Sequence, residues 1–223
     1  MIEINEIFSD SDKRIALWCD VAGDTNDLAM MAENVINENI HVISVSPAMV
    51  PLIWPYLEKS GVKILTRYVL NAAKKDMDDE IYKMAENINR VLKQGANGVQ
   101  IFVNKSELDG FIEHISVVRD DLFFEYDLCV ALDIGDINLD DWGHVFQKLR
   151  DIRANALCLT LREDMGNRSD FVGRIYGMLQ NWDFGGQLHF ILNNNYDRMD
   201  QVIRLIESEK PDLSDKVRFF LNY

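Results

Sequence analysis

Along the chain, short apolar runs of strand length alternate with longer stretches whose apolar residues recur three and four positions apart, the helical spacing. Residues 14–20 (RIALWCD) read as a strand, Gly23, Asp24 and Thr25 as a turn and N-cap, and residues 26–38 as a helix. The unit then repeats, with 41–46 as strand, 51–60 as helix stopped by Gly61, 62–69 as strand, and 75–94 as a helix closed by Gly95. Residues 98–104 (GVQIFVN) are a fourth strand, and Ser106, Glu107, Leu108 and Asp109 form a capping-box-like start to a helix ending near Asp121. The pattern continues with a strand at 126–133, a helix at 138–152 capped by Asn138, and a sixth strand at 154–164 (ANALCLTLRED). A helix at 169–181, a strand at 187–192, a helix at 196–208 and a strand at 216–221 complete it.

Eight strands alternating with seven helices, with no Pro-, Gly- or Ser-rich linker and no shift in composition, predict one α/β domain over residues 1–223. The expected architecture is a single parallel (β/α)8 TIM barrel of the aldolase type. An open doubly wound sheet is the rival, but no GxGxxG or P-loop follows the first strand and eight evenly spaced units suit closure. The pattern ends at Tyr223, directly after the eighth strand, so the helix that would cover that strand is missing. Its outer face is expected to be covered by the N-terminal segment, by other helices or by a second copy, which makes a homodimer an expected state.

The net charge of −14 disfavours a nucleic-acid or anionic-membrane surface, since neutralising phosphates needs clustered Lys and Arg. No window reaches the roughly 18 uncharged apolar residues of a membrane span. The start, MIEINEIFSD, has no basic and apolar leader, so a cytoplasmic location is expected. Cys19, Cys129 and Cys158 sit in apolar runs without CxxC spacing and read as buried small hydrophobes in a reducing compartment.

In such a barrel the chemistry gathers at the C-terminal strand ends. There the sequence offers Asp20, Arg67, Asn104, Thr160, Arg162 and Asn193 as groups that bind a ligand, and Asp133 and His189 as candidate acid–base residues. Alternation turns Cys129, Ala131 and Asp133 toward the barrel axis, placing a carboxylate at the top of a dry interior. A buried charge needs a partner, and Arg162 on the next strand or Arg67 across the barrel could supply it. The arrangement is either an ion-pair plug or a site for a carboxylate or phosphate, which a guanidinium holds with two parallel bonds. His189, inside the seventh strand, reads either as a satisfied core histidine or as an acid or base. No cofactor is expected; a divalent cation, if held, would use Asp20, Asp133 and Glu163, which nothing in their spacing singles out.

The segment HVISVSPAMVPLIWPYLEKSGVKILTRYV resembles the second and third β/α units of deoxyribose-phosphate aldolase. GANGVQIFVN is similar to that family's fourth strand and VALDIGDI to its fifth, with Asp133 in place of a Glu and Gly135 retained. The resemblance spans roughly residues 15 to 192 and implies an aldolase-type barrel. It also implies a Schiff-base lysine on strand six, further lysines on strands five and seven and an aspartate on strand four. Matching Ala154 and Asn155 to the family's Ala-Asp puts Cys158 at the Schiff-base position. Cys129 then stands at the strand-five lysine, Gln100 at the aspartate and His189 at about the strand-seven lysine. A thiol forms no iminium ion, so Schiff-base aldol chemistry is not expected. The glycine-rich phosphate-binding ends of strands seven and eight are replaced by Leu-Asn-Asn-Asn and Leu-Asn-Tyr.

The sequence thus leads to a barrel that has lost Schiff-base chemistry and binds a small polar or anionic metabolite at its mouth, with or without catalysis. A lyase or isomerase acting on a sugar or oxo acid is the enzymatic alternative. A structural or interaction protein on a retained barrel is the third.

Overall fold

A computed structural model describes residues 13–20, 25–70, 77–122, 125–161 and 168–223. Eight parallel strands run in chain order, β1 (Ile15–Cys19), β2 (Val42–Val45), β3 (Lys63–Val69), β4 (Gly98–Phe102), β5 (Asp127–Asp133), β6 (Ala156–Thr160), β7 (Gln187–Ile191) and β8 (Val217–Asn222). β8 pairs back onto β1 with Ile15 opposite Phe219, which closes the barrel. Between them lie α1 (Thr25–Asn37), α2 (Val50–Leu57), α3 (Met77–Leu92), α4 (Leu108–Leu122), α5 (Trp142–Asp151), α6 (Arg168–Gln180) and α7 (Tyr196–Glu209). The aldolase-type (β/α)8 barrel expected from the sequence is therefore the fold, and no helix follows β8.

The strands read as unbroken apolar runs because both of their faces are buried, one by the helices and one by the barrel interior. Leu128, Val130 and Leu132 of β5 face the helices, whereas Cys129 and Ala131 belong to the interior cluster with Ala16, Leu65, Cys158 and Phe220. The helix-facing shell holds an aromatic knot in which the Phe146 ring lies 5.6 Å from Trp142, 5.2 Å from Trp182 and 6.5 Å from Phe184.

The outer face of β8 needs no eighth helix to be dry. Val217, Phe219 and Leu221 are at most 1% exposed and share one core with Val202 and Ile206 of α7. A 3-10 stretch, Pro211–Lys216, contributes Leu213 to the same core. A single chain thus covers the strand that suggested a second copy.

Helix starts differ in detail from the sequence reading. Ser106 lies within a 3-10 turn, Lys105–Glu107, and α4 begins only at Leu108, so the expected capping box is not formed. Asn138 likewise precedes a 3-10 turn, Leu139–Asp141, and its side chain bonds Asp141 rather than a backbone amide. In both places the chain must turn from a strand end toward the outer layer, and the tighter 3-10 winding makes that turn.

Gly98 shows how closely neighbouring strands approach. A Cβ there would lie 2.5 Å from the Asp127 carbonyl oxygen, and that oxygen belongs to a strand held by β4–β5 pairing. Gly98→Ala is expected to cost about 1–3 kcal/mol, the range for overpacking a site that cannot give way. Urea unfolding, read as a lower midpoint at an unchanged slope, measures it.

Candidate functional site

Strand alternation and register fix which side chains line the barrel. Moving around it, Arg67 is level with Gln100, Gln100 with Cys129, Ala131 with Cys158, Asp133 with Thr160, and Cys158 with His189. All of these are inward positions. The four that the sequence matched to the aldolase's charged residues, Gln100, Cys129, Cys158 and His189, are therefore all on the interior face.

They are buried and bonded to one another and to neighbouring side chains. Ser44 Oγ donates to Gln100 Oε1 at 2.8 Å, and Gln100 Nε2 approaches Cys158 Sγ at 3.5 Å, linking β2, β4 and β6 through the centre. This is the alternate-strand layering of a filled barrel. Cys129 Sγ lies 3.6 Å from His189 Nδ1, and His189 Nε2 lies 3.1 Å from Gln187 Oε1. Ser44, Gln100 and Cys158 have no exposed surface. Burial, reinforced by a bond with Cys158, pushes the Cys129 thiol well above its usual range, while His189 opposes it only in part. Cys129 is consequently a thiol and not a thiolate nucleophile at neutral pH. Among the strand residues the one lysine is Lys63, at the start of β3, where Nζ is 2.8 Å from Asp127 Oδ2.

Charge appears only toward the strand ends. Arg67, on the inner face of β3 and 9% exposed, donates through NH2 to the Cys19 carbonyl at 2.7 Å and to Asp20 Oδ1 at 2.5 Å. Its guanidinium carbon lies 3.8 Å above the Trp18 ring, and Trp18 Nε1 donates to the other Asp20 oxygen at 2.7 Å. Phe102 packs edge-on against the same Trp18 ring. Arg67 is thus held flat against an aromatic plate by an aspartate at the edge. Its NH1 is buried and has no hydrogen-bond partner among the described residues. Burial pulls the Arg67 pKa below its ordinary value and Asp20 pushes it back. Burial also lifts the adjacent Cys19 thiol to about 12, against the pull of Arg67.

Asp20 and Arg67 are the two sequence candidates that the structure brings together. Asp133 is the last residue of β5 and stands level with Thr160, but it accepts from the Gly135 amide at 2.7 Å and so caps the turn behind it. Thr160 Oγ1 donates to the Leu132 carbonyl at 3.4 Å. Asn104 is exposed and bonds Glu107 at 3.1 Å. Asn193 is exposed at the end of β7 with φ of 49°, next to Asn194 at 56°, a left-handed pair that asparagine tolerates better than most residues. Asn194 and Asn195 have structural work, accepting from the Asn222 amide at 2.8 Å and the Arg198 amide at 3.1 Å. Arg162 and Glu163 lie outside the described residues, as does Asp24. His189 faces a cavity at the strand starts, the end opposite the mouth. Among the described residues no group of three or more His, Cys, Asp and Glu side chains could hold a metal ion. No helix among them is long and apolar enough to cross a membrane.

Sequence reading missed Trp18, Ser44 and Gln100 as parts of one interior. The signal for Trp18 was its position two residues before Asp20, which puts both on the same side of β1.

Compared by sequence, the chain matches no family profile and no curated protein. Compared by structure, it superposes on a chain described as a deoxyribose-phosphate aldolase from Coccidioides immitis, with a TM-score of 0.69 and 11% identity over 96% of this chain and 81% of that one. The tetrameric deoxyribose phosphate aldolase of Aeropyrum pernix gives a TM-score of 0.66 at 12% identity over 96% and 88%. The carboxyl transferase domain of Rhizobium etli pyruvate carboxylase gives 0.60 at 9% identity, over 96% of this chain and 40% of that one. These relatives share a barrel while carrying different names and chemistries. What the likeness establishes for this chain is its fold, a divergent barrel of the deoxyribose-phosphate aldolase type.

Proposed function

We propose that this barrel binds a small anionic metabolite at its C-terminal mouth and does so without Schiff-base chemistry. The observation that carries the reading is Arg67, a buried guanidinium fixed by Trp18, Asp20 and the Cys19 carbonyl, whose NH1 meets no acceptor among the described residues. An unsatisfied buried donor on a charged group is costly, and an oxyanion supplies the missing acceptor. Thr160, Asn193 and Asn104 are the rim groups available to fix the rest of the ligand, and Arg162, outside the described residues, is a further candidate from the sequence alone. Asp133 remains the candidate base for a lyase or isomerase reaction on a sugar or oxo acid. His189 joins that chemistry only through the interior, since it opens toward the other end.

The interior supports the negative half of the reading. Where a Schiff-base enzyme needs an amine, Gln100, Cys129, Cys158 and His189 contact one another or Ser44 and Gln187. The tetrameric Aeropyrum pernix structure keeps self-association within the proposal, although this chain buries the outer face of β8 by itself. A cytoplasmic setting fits the three unpaired, buried cysteines.

Thermal-shift screening of sugar phosphates, oxo acids and divalent cations tests the function, because a ligand that prefers the native state raises the melting temperature by mass action. A saturable rise with an oxyanion supports it. No rise with any anion, or a rise only with a divalent cation, would remove anion binding as the function.

A further inference from the structure

At the far end of the barrel from Arg67, a cavity of about 50 Å³ opens among the first residues of β2, β3, β5, β6, β7 and β8. Val42, Leu65 and Ala156 give it an apolar inner wall that belongs to the barrel's interior cluster. Its polar side carries Lys63, Asp127, His189 and Arg218.

The charges there do not cancel. Lys63 is neutralised by Asp127 at 2.8 Å. The amide oxygen of the nearby Asn155 is already taken by the Leu128 amide at 2.8 Å and by Arg119 at 3.2 Å. Gln187 is engaged with His189. Arg218 donates through NH1 to the Lys13 carbonyl at 2.8 Å, and among the described residues no carboxylate pairs with it. Burial draws its pKa below the ordinary value. A half-buried cation without a counter-charge is unfavourable, and the guanidinium's remaining N–H groups match the two oxygens of a carboxylate. The wall facing it is aliphatic.

We propose that this N-terminal cavity binds a small carboxylate with a short apolar tail, the carboxylate on Arg218 and the tail against Val42, Leu65 and Ala156. The site is separate from the mouth at Arg67, and it uses neither Asp20 nor the rim loops. Inorganic phosphate shares the charge but has no part that gains from the aliphatic wall, so it should bind more weakly.

His189 is a local reporter, since it lines this cavity at the strand starts. The experiment titrates the protein with sodium propionate at constant pH and ionic strength, following the His189 ring resonances by NMR after assignment with His189→Gln. Inorganic phosphate is titrated in parallel. The expected result is a saturable propionate shift at His189, a weaker phosphate response, and a dissociation constant raised about tenfold to a hundredfold in Arg218→Met, the loss expected when a hydrogen bond to a charged group is removed. Arg67→Met should leave the His189 titration as in the wild type. The proposal is overturned by the absence of a saturable shift in the wild type, a result that stands even if Arg218→Met does not fold. Equal affinities in Arg218→Met and the wild type, or phosphate binding as tightly as propionate, overturn it as well.

Discussion

Phe146→Ala is expected to lower the unfolding free energy by about 3–5 kcal/mol, the cost of deleting a fully buried aromatic side chain and leaving a cavity. Phe146 has no exposed surface and lies among Trp142, Trp182 and Phe184, with ring centroids 5.2 to 6.5 Å away. Two of those neighbours are themselves braced, since Trp182 and Phe184 meet edge-on at 5.8 Å. Stiff neighbours cannot collapse into the hole, which places the loss in the upper part of the range. Urea unfolding followed by tryptophan fluorescence reads it directly. Phe146→Leu keeps most of the volume and should recover most of the loss. A loss under about 1 kcal/mol for the alanine variant would mean that the knot is not packed as described, because surface-like sites alone give so little.

Arg67→Met is expected to weaken binding of the anionic ligand about tenfold to a hundredfold, the factor that corresponds to one hydrogen bond between charged groups. Stability should change by no more than about 1 kcal/mol. The reason is an asymmetry in the pair: the Asp20 side chain is 72% exposed while that of Arg67 is 8% exposed. Removing the arginine returns a solvated carboxylate to water and puts an apolar chain in an apolar place, so neither partner is stranded. Asp20 also keeps the Trp18 indole donor. Arg67→Lys retains the charge but loses the planar stack on Trp18 and the forked donor pattern, and should fall between the two. Calorimetric titration with a screened anion separates these outcomes. Equal affinity in the wild type and in Arg67→Met would move the ligand away from this arginine.

The barrel was legible in the sequence because each strand is bounded by a change of period. DLCVALD and ALCLT are apolar on both faces, and the helical spacing resumes after each. Alternation gave the inward faces of Cys129 and Cys158, and Gln100 and His189, matched only through the family resemblance, are level with them in the register. What alternation does not carry is height along the axis. His189, read as lying inside the seventh strand, is level with Arg218 near the start of β8, and the height offset between strands is set by barrel tilt and pairing register. Of the run Asn193, Asn194 and Asn195, the first read as a ligand-binding residue. The second and third of these hold the loop together, and the local turn geometry that recruits them has no periodic signature. Trp18 beneath Arg67 depends on contact between strands 49 residues apart in number only through the fold, since the stack joins β1 to β3.

Two buried pairs, Gln100 with Cys158 and Cys129 with His189, occupy the positions that the resemblance matches to the amines and carboxylate of a Schiff-base aldolase. On the proposed reading the interior offers no amine for covalent carbonyl chemistry, and the guanidinium at the mouth with the polar rim meets the anionic metabolite. Borohydride reduction in the presence of aldehyde and ketone substrates, followed by intact-mass analysis and peptide mapping, tests this most directly. The account predicts an unmodified chain. A stoichiometric adduct mapped to a single lysine would contradict it.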